Sequence, residues 1–217
     1  MGEPMAYLGG ISAKLEKRLS LARKYGPTTQ AIAERIAAKY GGYTTPINYK
    51  SYNSAMRKVT NEQGGDVTEL KDLARTTIIV PKDQIDNVIR DLKAEKHFGR
   101  YKKQAPDTME GYSGNIVNLK FGKDFYTEIQ VNTEKMIYAK ERMSDAVRVI
   151  GAQRYRQIFN ETKIPGGWGH SMYEDFRAIS NKNRREMTVK KGKAKGETNK
   201  NYITRQNSRD YYDIFNK

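Results

Sequence analysis

Apolar residues recur along the first forty positions at helical spacing. Ile11, Leu15, Leu19 and Leu21 give residues 11–25 a weak stripe, and Ile32, Ile36 and Ala37 give a second one through Lys39. Thr28-Thr29 offers a cap for the second helix and Gly41-Gly42 a stop, so two N-terminal helices are predicted. Residues 43–50 read as a loop with Pro46, and Ser51 to Thr60 as a short helix ended by Asn61-Glu62-Gln63-Gly64-Gly65. The run LARTTIIV (73–80) is β-branched, ends at Pro81 and predicts a strand. From about Asp83 to Lys96, the positions Ile85, Val88, Ile89 and Leu92 share one helical face. Residues 97–114 read as loop.

Two more runs, NIVNLKF (115–121) and FYTEIQV (125–131), flank Gly122-Lys123-Asp124 and predict a hairpin. Thr133-Glu134 opens what reads as one long helix to about Asn160, with Met136, Ala139, Met143, Ala146, Val147 and Ile150 as its buried stripe and Gly151 as a point of interruption. Pro165-Gly166-Gly167 is a turn, Trp168 reads as core, and a last helix is expected over His170–Ser180. The order of helices, strand, helix, hairpin and helices predicts an α+β domain, a mixed β-sheet flanked by helices. The expected organisation is a catalytic domain over 1–180 and a basic extension over 181–217. That extension reads as a mobile segment or exposed hairpin, with Tyr202, Ile203, Tyr211, Tyr212, Ile214 and Phe215 anchoring its end.

Composition narrows the chemistry. The 217 residues suffice for a sizeable core, and the absence of cysteine excludes disulfides, zinc–thiolate sites and a cysteine nucleophile. No stretch approaches the roughly 18 apolar residues of a membrane span, so no membrane partner is expected. A formal charge of +15 suits polyanions, nucleotides and RNA among them.

Along FYTEIQV the side chains alternate. Phe125, Thr127, Ile129 and Val131 point one way, and Tyr126, Glu128 and Gln130 the other. A carboxylate in mid-strand is costly unless it is paired, metal-bound or solvated. Asp72, just before the LARTTIIV strand, is placed to reach a neighbouring strand, and with Glu128 it could hold one Mg²⁺, which asks for few protein carboxylates beside phosphate oxygens. The segment YKSYNSAMRK gathers Lys50, Ser51, Ser54, Arg57 and Lys58 at a loop–helix junction, where cations and free N–H groups suit an anion. Arg75 adds a cation inside the strand. No Walker A motif is present, and His97 and His170 are too far apart to make a metal site by themselves.

These blocks resemble the synthetase domain of the RelA/SpoT alarmone synthetases, and among them the small single-domain and toxin branches. YKSYNSAMRK (49–58) is similar to the ATP-binding block, DLARTTIIV (72–80) to the aspartate-led magnesium block, and GYSGNIVNLKFGKDFYTEIQVNT (111–133) to the acceptor-site tyrosine followed by the glutamate strand. GHSMYEDFR (169–177) is similar to the toxin branch's helix ending.

The resemblance implies a nucleotidyltransferase-like fold and transfer of the β,γ-pyrophosphate of ATP to a 3′-hydroxyl. Asp72 and Glu128 would be catalytic and would hold Mg²⁺. Lys50, Ser51, Ser54, Arg57, Lys58 and Arg75 would bind ATP, and Tyr112, Asn118 and Gln130 the acceptor. His170, Tyr173, Glu174 and Arg177 would support the site. Where the family commonly has glycine and arginine three and five residues after the aspartate, this chain has Arg75 and Thr77. Its acceptor loop has Ser113 in the place of a basic residue and Ile116 in that of a histidine, which gives weight to an adenosine acceptor beside a guanosine one. The products implied are (p)ppGpp- or (p)ppApp-like, made in a target cytoplasm by a toxin or effector. An antitoxin or immunity protein and delivery within a larger effector stay open. So do two other readings that the basic 182–200 segment allows: pyrophosphorylation of the 3′ end of tRNA, and a non-enzymatic RNA-binding domain.

Overall fold

The computed structural model describes residues 3–104, 114–169, 171–172 and 199–217. They form two compact units, Met1–Lys102 with Asn115–Val131, and Lys103–Gly114 with Asn132–Lys217.

The first unit is built on one long helix, α1 (Glu3–Lys39), where two were predicted. Pro27 lies within it and costs one backbone hydrogen bond. Thr29 does not cap a new helix. Its hydroxyl donates to the Tyr25 carbonyl four residues back, the habit of a threonine inside a helix, and meets Thr127 Oγ1 at 2.8 Å. Both apolar stripes therefore lie on one continuous rod, with Ile11, Leu15, Leu19, Ala22, Ala33, Ile36 and Ala37 all buried. The rod ends as expected: Gly41 takes a positive φ of 67° and Gly42 N–H returns to the Ala37 carbonyl at 2.9 Å.

The sheet that α1 covers has six strands. They are β1 (Tyr43–Thr44), β2 (Asn48–Tyr49), β3 (Ala74–Ile79), β4 (Phe98–Gln104), β5 (Gly114–Phe121) and β6 (Phe125–Asn132), in the order β1-β3-β6-β5-β4 with β2 also on β3. The predicted loop 43–50 thus supplies two short strands antiparallel to β3, and the predicted loop 97–114 contains β4. In FGRYKKQ the charges and Gly99 conceal the alternation, because an edge strand need bury little. Helices α2 (Tyr52–Glu62) and α3 (Ile85–Ala94) complete this unit. α3 is joined to the end of α1 through Asp91, which accepts from Lys39 Nζ at 2.6 Å and Tyr40 Oη at 2.8 Å.

The hairpin β5–β6 falls as predicted, and its register pairs Val117 with Ile129, Asn118 with Glu128 and Leu119 with Thr127. Its two faces are unlike. On one, Phe121 and Phe125 pack on Tyr25, with ring centroids 4.6 and 5.8 Å apart, and Thr127 meets Thr29. This is the α1 side, and it carries the core. The other face carries Glu128 and Gln130.

In the second unit the predicted long helix is three. They are α4 (Glu134–Lys140), α5 (Met143–Ile150) and α6 (Ala152–Thr162). Glu141 and Arg142 are extended, and Gly151 takes φ 81°, ψ 152°, which only glycine adopts readily. Met136, Ala139, Ala146 and Ile150 are buried as expected, but the break turns Met143 out to 63 % exposure. A helical turn begins at Trp168, before the His170 expected, and Trp168 is 53 % exposed, stacked on Tyr211 and not in the core. Ser171 and Met172 are helical, while His170 and residues 173–180 of the predicted helix lie outside the described residues, as does most of the basic segment. The chain closes with helix α7 (Asn199–Asn216), whose Tyr211, Tyr212 and Phe215 are buried. Among the described residues no helix is long and apolar enough to cross a membrane.

Candidate active site

The charged face of the sheet is assembled from three local structures. The first is the start of α2. Ser51 caps it, its hydroxyl accepting from Ser54 N–H at 3.3 Å. Just before it, Lys50 N–H bonds the Leu73 carbonyl, which ties the junction to the residue after Asp72. One turn further on, Lys58 lies on the same side of the helix as Ser54.

The second is the approach to β3. Asp72 Oδ2 accepts from Lys50 Nζ at 2.8 Å and from Lys58 Nζ at 3.0 Å. The aspartate is largely buried, at 14 % side-chain exposure. Burial opposes its charge, but the two ammonium groups outweigh burial and hold the carboxyl down at about 2. Its second oxygen, Oδ1, is buried and has no hydrogen-bond partner.

The third is β6. Glu128 is buried at 8 % exposure, and burial pushes its carboxyl above the usual carboxylate range. Arg75 and the Gln130 hydrogen bond, at 2.8 Å to Oε1, pull the other way, while Asp72 adds to the rise. Two carboxylates thus sense each other across β3 and β6 in unlike environments, one ionised by its lysines and one kept reluctant to ionise. Such divergence is common where chemistry is done.

Lys50, Lys58, Asp72, Arg75, Glu128 and Gln130 are therefore brought together on one face. Ser51 and Ser54 stand at its edge, while Arg57 is exposed on α2. Asn118 is opposite Glu128 in register but is 1 % exposed and already engaged. Its Nδ2 donates to the Lys71 and Thr127 carbonyls and its Oδ1 accepts from Arg100. Arg100 stands on β4, which the sequence reads as loop, and FGRYKKQ offers no apolar–polar alternation to signal it. Tyr112, His170, Tyr173, Glu174 and Arg177 lie outside the described residues. Among the described residues no group of three or more metal-ligating side chains occurs. The acidic pair Asp72 and Glu128 is what the charged face provides.

No protein-family model matches the chain. It is 35 % identical over 189 residues to the (p)ppApp synthetase toxin Tas1 of Pseudomonas aeruginosa, a match that takes in 86 % of this chain and 39 % of that protein, so the chain spans about two fifths of that curated relative's length. The crystal structure of the type VI effector Tas1 with its immunity protein superposes with a TM-score of 0.78 at 32 % identity, over 93 % of this chain and 96 % of that one. The small alarmone synthetase 1 of Bacillus subtilis shares the fold, with a TM-score of 0.54 at 15 % identity over 94 % and 93 % of the two chains. By its likeness to Tas1 along nearly the whole of the solved Tas1 chain, the protein belongs to the RelA/SpoT-type alarmone synthetases.

Proposed function

We propose that the chain transfers the β,γ-pyrophosphate of ATP to the 3′-hydroxyl of a purine nucleotide. The products are (p)ppApp- or (p)ppGpp-like, and AMP is released. The observation that carries this reading is the buried, unpartnered Oδ1 of Asp72 beside Glu128, inside a frame of Lys50, Lys58 and Arg75. A purely structural ion pair would have no use for a buried carboxylate oxygen without a donor.

That oxygen also fits a magnesium ion. Mg²⁺ takes oxygen ligands, keeps several waters and needs only one or two carboxylates beside substrate phosphates. Asp72 and Glu128 would hold it. Once bound, the ion would neutralise phosphate oxygens and polarise the phosphorus under attack.

The remaining work falls to side chains of this protein. Lys50, Lys58 and Arg75 offset charge on the donor phosphates, and Ser51 and Ser54 with the N–H groups of the α2 start orient them. The acceptor 3′-oxygen bonds to the β-phosphorus as the bond from that phosphorus to the α,β-bridging oxygen breaks, and AMP carries that oxygen away. The hydroxyl proton passes to Glu128, whose raised affinity for a proton suits the task. Gln130 fixes the carboxylate through Oε1. Tyr112 stacks on the acceptor base, and His170, Tyr173, Glu174 and Arg177 support the site.

The kinship with Tas1 supports a toxin delivered as part of a larger effector, acting in a target cytoplasm and held in check by an immunity protein. Transfer to the 3′ end of tRNA is the second reading, favoured by the +15 charge and the lysines between 182 and 200. One experiment separates them. The protein is incubated with Mg²⁺ and γ-labelled ATP, with AMP, ADP, ATP, GDP, GTP or deacylated tRNA supplied in turn. Label on a free nucleotide is the expected result. Label on tRNA alone replaces the first reading by the second, and transfer to nothing removes both.

A further inference from the structure

Arg100 is exposed on β4 with its guanidinium aimed by the protein. Its Nε donates to Asn118 Oδ1 at 2.9 Å. That amide is itself immobilised, with Nδ2 on the Lys71 carbonyl at 3.4 Å and the Thr127 carbonyl at 3.2 Å. Asn118 is 1 % exposed, so an interior residue has committed both amide N–H groups to carbonyls, and its acceptor oxygen goes to a surface arginine. Among the described residues no carboxylate lies within ion-pair distance of Arg100, so the terminal nitrogens of the fork are left for an anion.

The place of this fork is informative. Asn118 is the register partner of Glu128, so the two share the charged face. Lys71, whose carbonyl holds the amide, immediately precedes Asp72. In the strand order β3-β6-β5-β4, Glu128 lies between the donor-phosphate cations near β3 and Arg100 on β4. Two strand spacings, about 10 Å, separate β6 from β4. A nucleotide with its 3′-hydroxyl at Glu128 can extend its 5′-phosphates across that span. The strand is shaped for it: a Cβ on Gly99 would stand 2.9 Å from the Tyr126 ring and 3.0 Å from the Asn118 carbonyl, so glycine lets β4 lie close beside this face.

We propose that Arg100, oriented by Asn118, binds the 5′-phosphates of the acceptor nucleotide, on the side of Glu128 opposite the donor. The inference rests on the pyrophosphokinase reading and assigns the acceptor a polarity on the sheet. Asn118 becomes a positioning residue that reaches the acceptor only through Arg100.

The test is a pair of steady-state series with wild type, Arg100→Ala and Arg100→Lys. ADP and GDP serve as acceptors, each against its own nucleoside, and ATP is varied separately. Arg100→Ala is expected to raise KM for the better diphosphate roughly tenfold to a hundredfold, the size of a lost charge-assisted pair. The nucleoside's KM and that of ATP stay put, and Arg100→Lys restores part of the loss because it keeps the charge but not the fork. Equal losses for diphosphate and nucleoside, a shift in the KM of ATP alone, or no change in any of them overturns the inference while the enzyme reading stands. Wild-type protein that transfers to no nucleotide overturns the reading itself, and the inference with it. Arg100→Ala also takes the donor from the buried Asn118 Oδ1, so its melt is expected somewhat below wild type; a loss of that kind does not separate the diphosphate from its nucleoside, and the KM split does.

Discussion

Asp72 in the first unit and Tyr211 in the second are both buried polar groups, and the fold treats them differently. Tyr211 lies in an aromatic cluster with Trp168 and Phe215, and its hydroxyl stands 3.0 Å from two carbonyls, those of Ala139 and Pro165. Nearby, Tyr138 donates to the Ile164 carbonyl at 2.8 Å and packs on Tyr155 and Phe215. Burial raises both phenol pKa values, which keeps them neutral donors. Here polar groups exist to close the structure. At Asp72 a full charge is taken out of water, two lysines are spent on one oxygen, and the other oxygen is left without a donor. Among the described residues two other buried side-chain atoms lack partners, Arg18 Nε and Gln30 Oε1. Neither of those side chains is an anion, whereas Asp72 Oδ1 belongs to an ionised carboxylate whose two lysines both bond the other oxygen. Satisfied burial marks the scaffold, and unsatisfied anionic burial marks the working face.

The largest effects should come from breaking that face. Glu128→Gln is expected to lower transfer roughly 10²- to 10⁴-fold, the range of a lost general base, and Asp72→Asn by a similar factor. Their stabilities should part. The Asp72 carboxyl is held below its ordinary value of 3.8, at about 2, so its stabilisation is present above the ordinary value and is lost as pH falls through about 2. Removing it should cost about 2 kcal/mol at neutral pH. The Glu128 carboxyl is raised, so its ionised form weakens the fold above its own pKa, and the deficit closes as pH falls toward the ordinary carboxylate value. Glu128→Gln should therefore melt above wild type at neutral pH and lose that advantage in acid. Chemical denaturation at neutral and acid pH checks both signs. If Glu128→Gln is the less stable at neutral pH, the glutamate is part of the scaffold after all.

The second unit should answer by stability alone at each residue. Gly166 leaves no room for a side chain, since a Cβ would fall 2.7 Å from the Tyr138 carbonyl and 2.9 Å from its ring. Gly166→Ala is expected to cost about 1–3 kcal/mol as an overpacking change, read as a lower unfolding midpoint. Tyr211→Phe removes the one O–H that the two carbonyls share, without otherwise changing shape, and should cost about 1–2 kcal/mol. If Tyr211→Phe costs nothing, the two carbonyls find another donor and the contrast with Asp72 weakens.

Much of the first unit could be read from the chain. The strand 74–79, the helix after it and the hairpin announce themselves by β-branched runs, a 3-4 apolar spacing and Gly122. Glu128 stands out because a carboxylate in mid-strand has no cheap explanation, and Asp72, Lys50 and Lys58 were expected near it. What could not be read was set by tertiary context. Thr29 looks like a cap until Thr127 is found opposite its hydroxyl. The break before Met143 has no glycine or proline to signal it, since Glu141 and Arg142 are ordinary residues in extended conformation. β4 hid because an edge strand with solvent on one side can be made of lysine and arginine, and Arg100 hid with it. Asn118 is assigned to the acceptor by the resemblance, and its three partners add that it orients another side chain.

Ser51 carries the smallest prediction, and it sharpens the contrast at a residue that could belong to either class. Its hydroxyl accepts from Ser54 N–H at 3.3 Å and donates to Ser54 Oγ at 3.0 Å, which is capping, yet it stands exposed at the start of α2 beside Lys50, where a donor phosphate is expected. Ser51→Ala removes both roles and should cost about 0.5–1 kcal/mol of stability. Ser51→Gly removes the hydroxyl but leaves a residue tolerated at a helix N-cap, at a cost of only a few tenths of a kcal/mol. If the hydroxyl touches ATP, both variants raise the KM for ATP by a similar few-fold factor, although their melting points differ. If Ser51 only closes the helix, KM follows stability: Ser51→Ala shifts it slightly and Ser51→Gly leaves it at the wild-type value. The first outcome places Ser51 with Asp72, and the second places it with Tyr211.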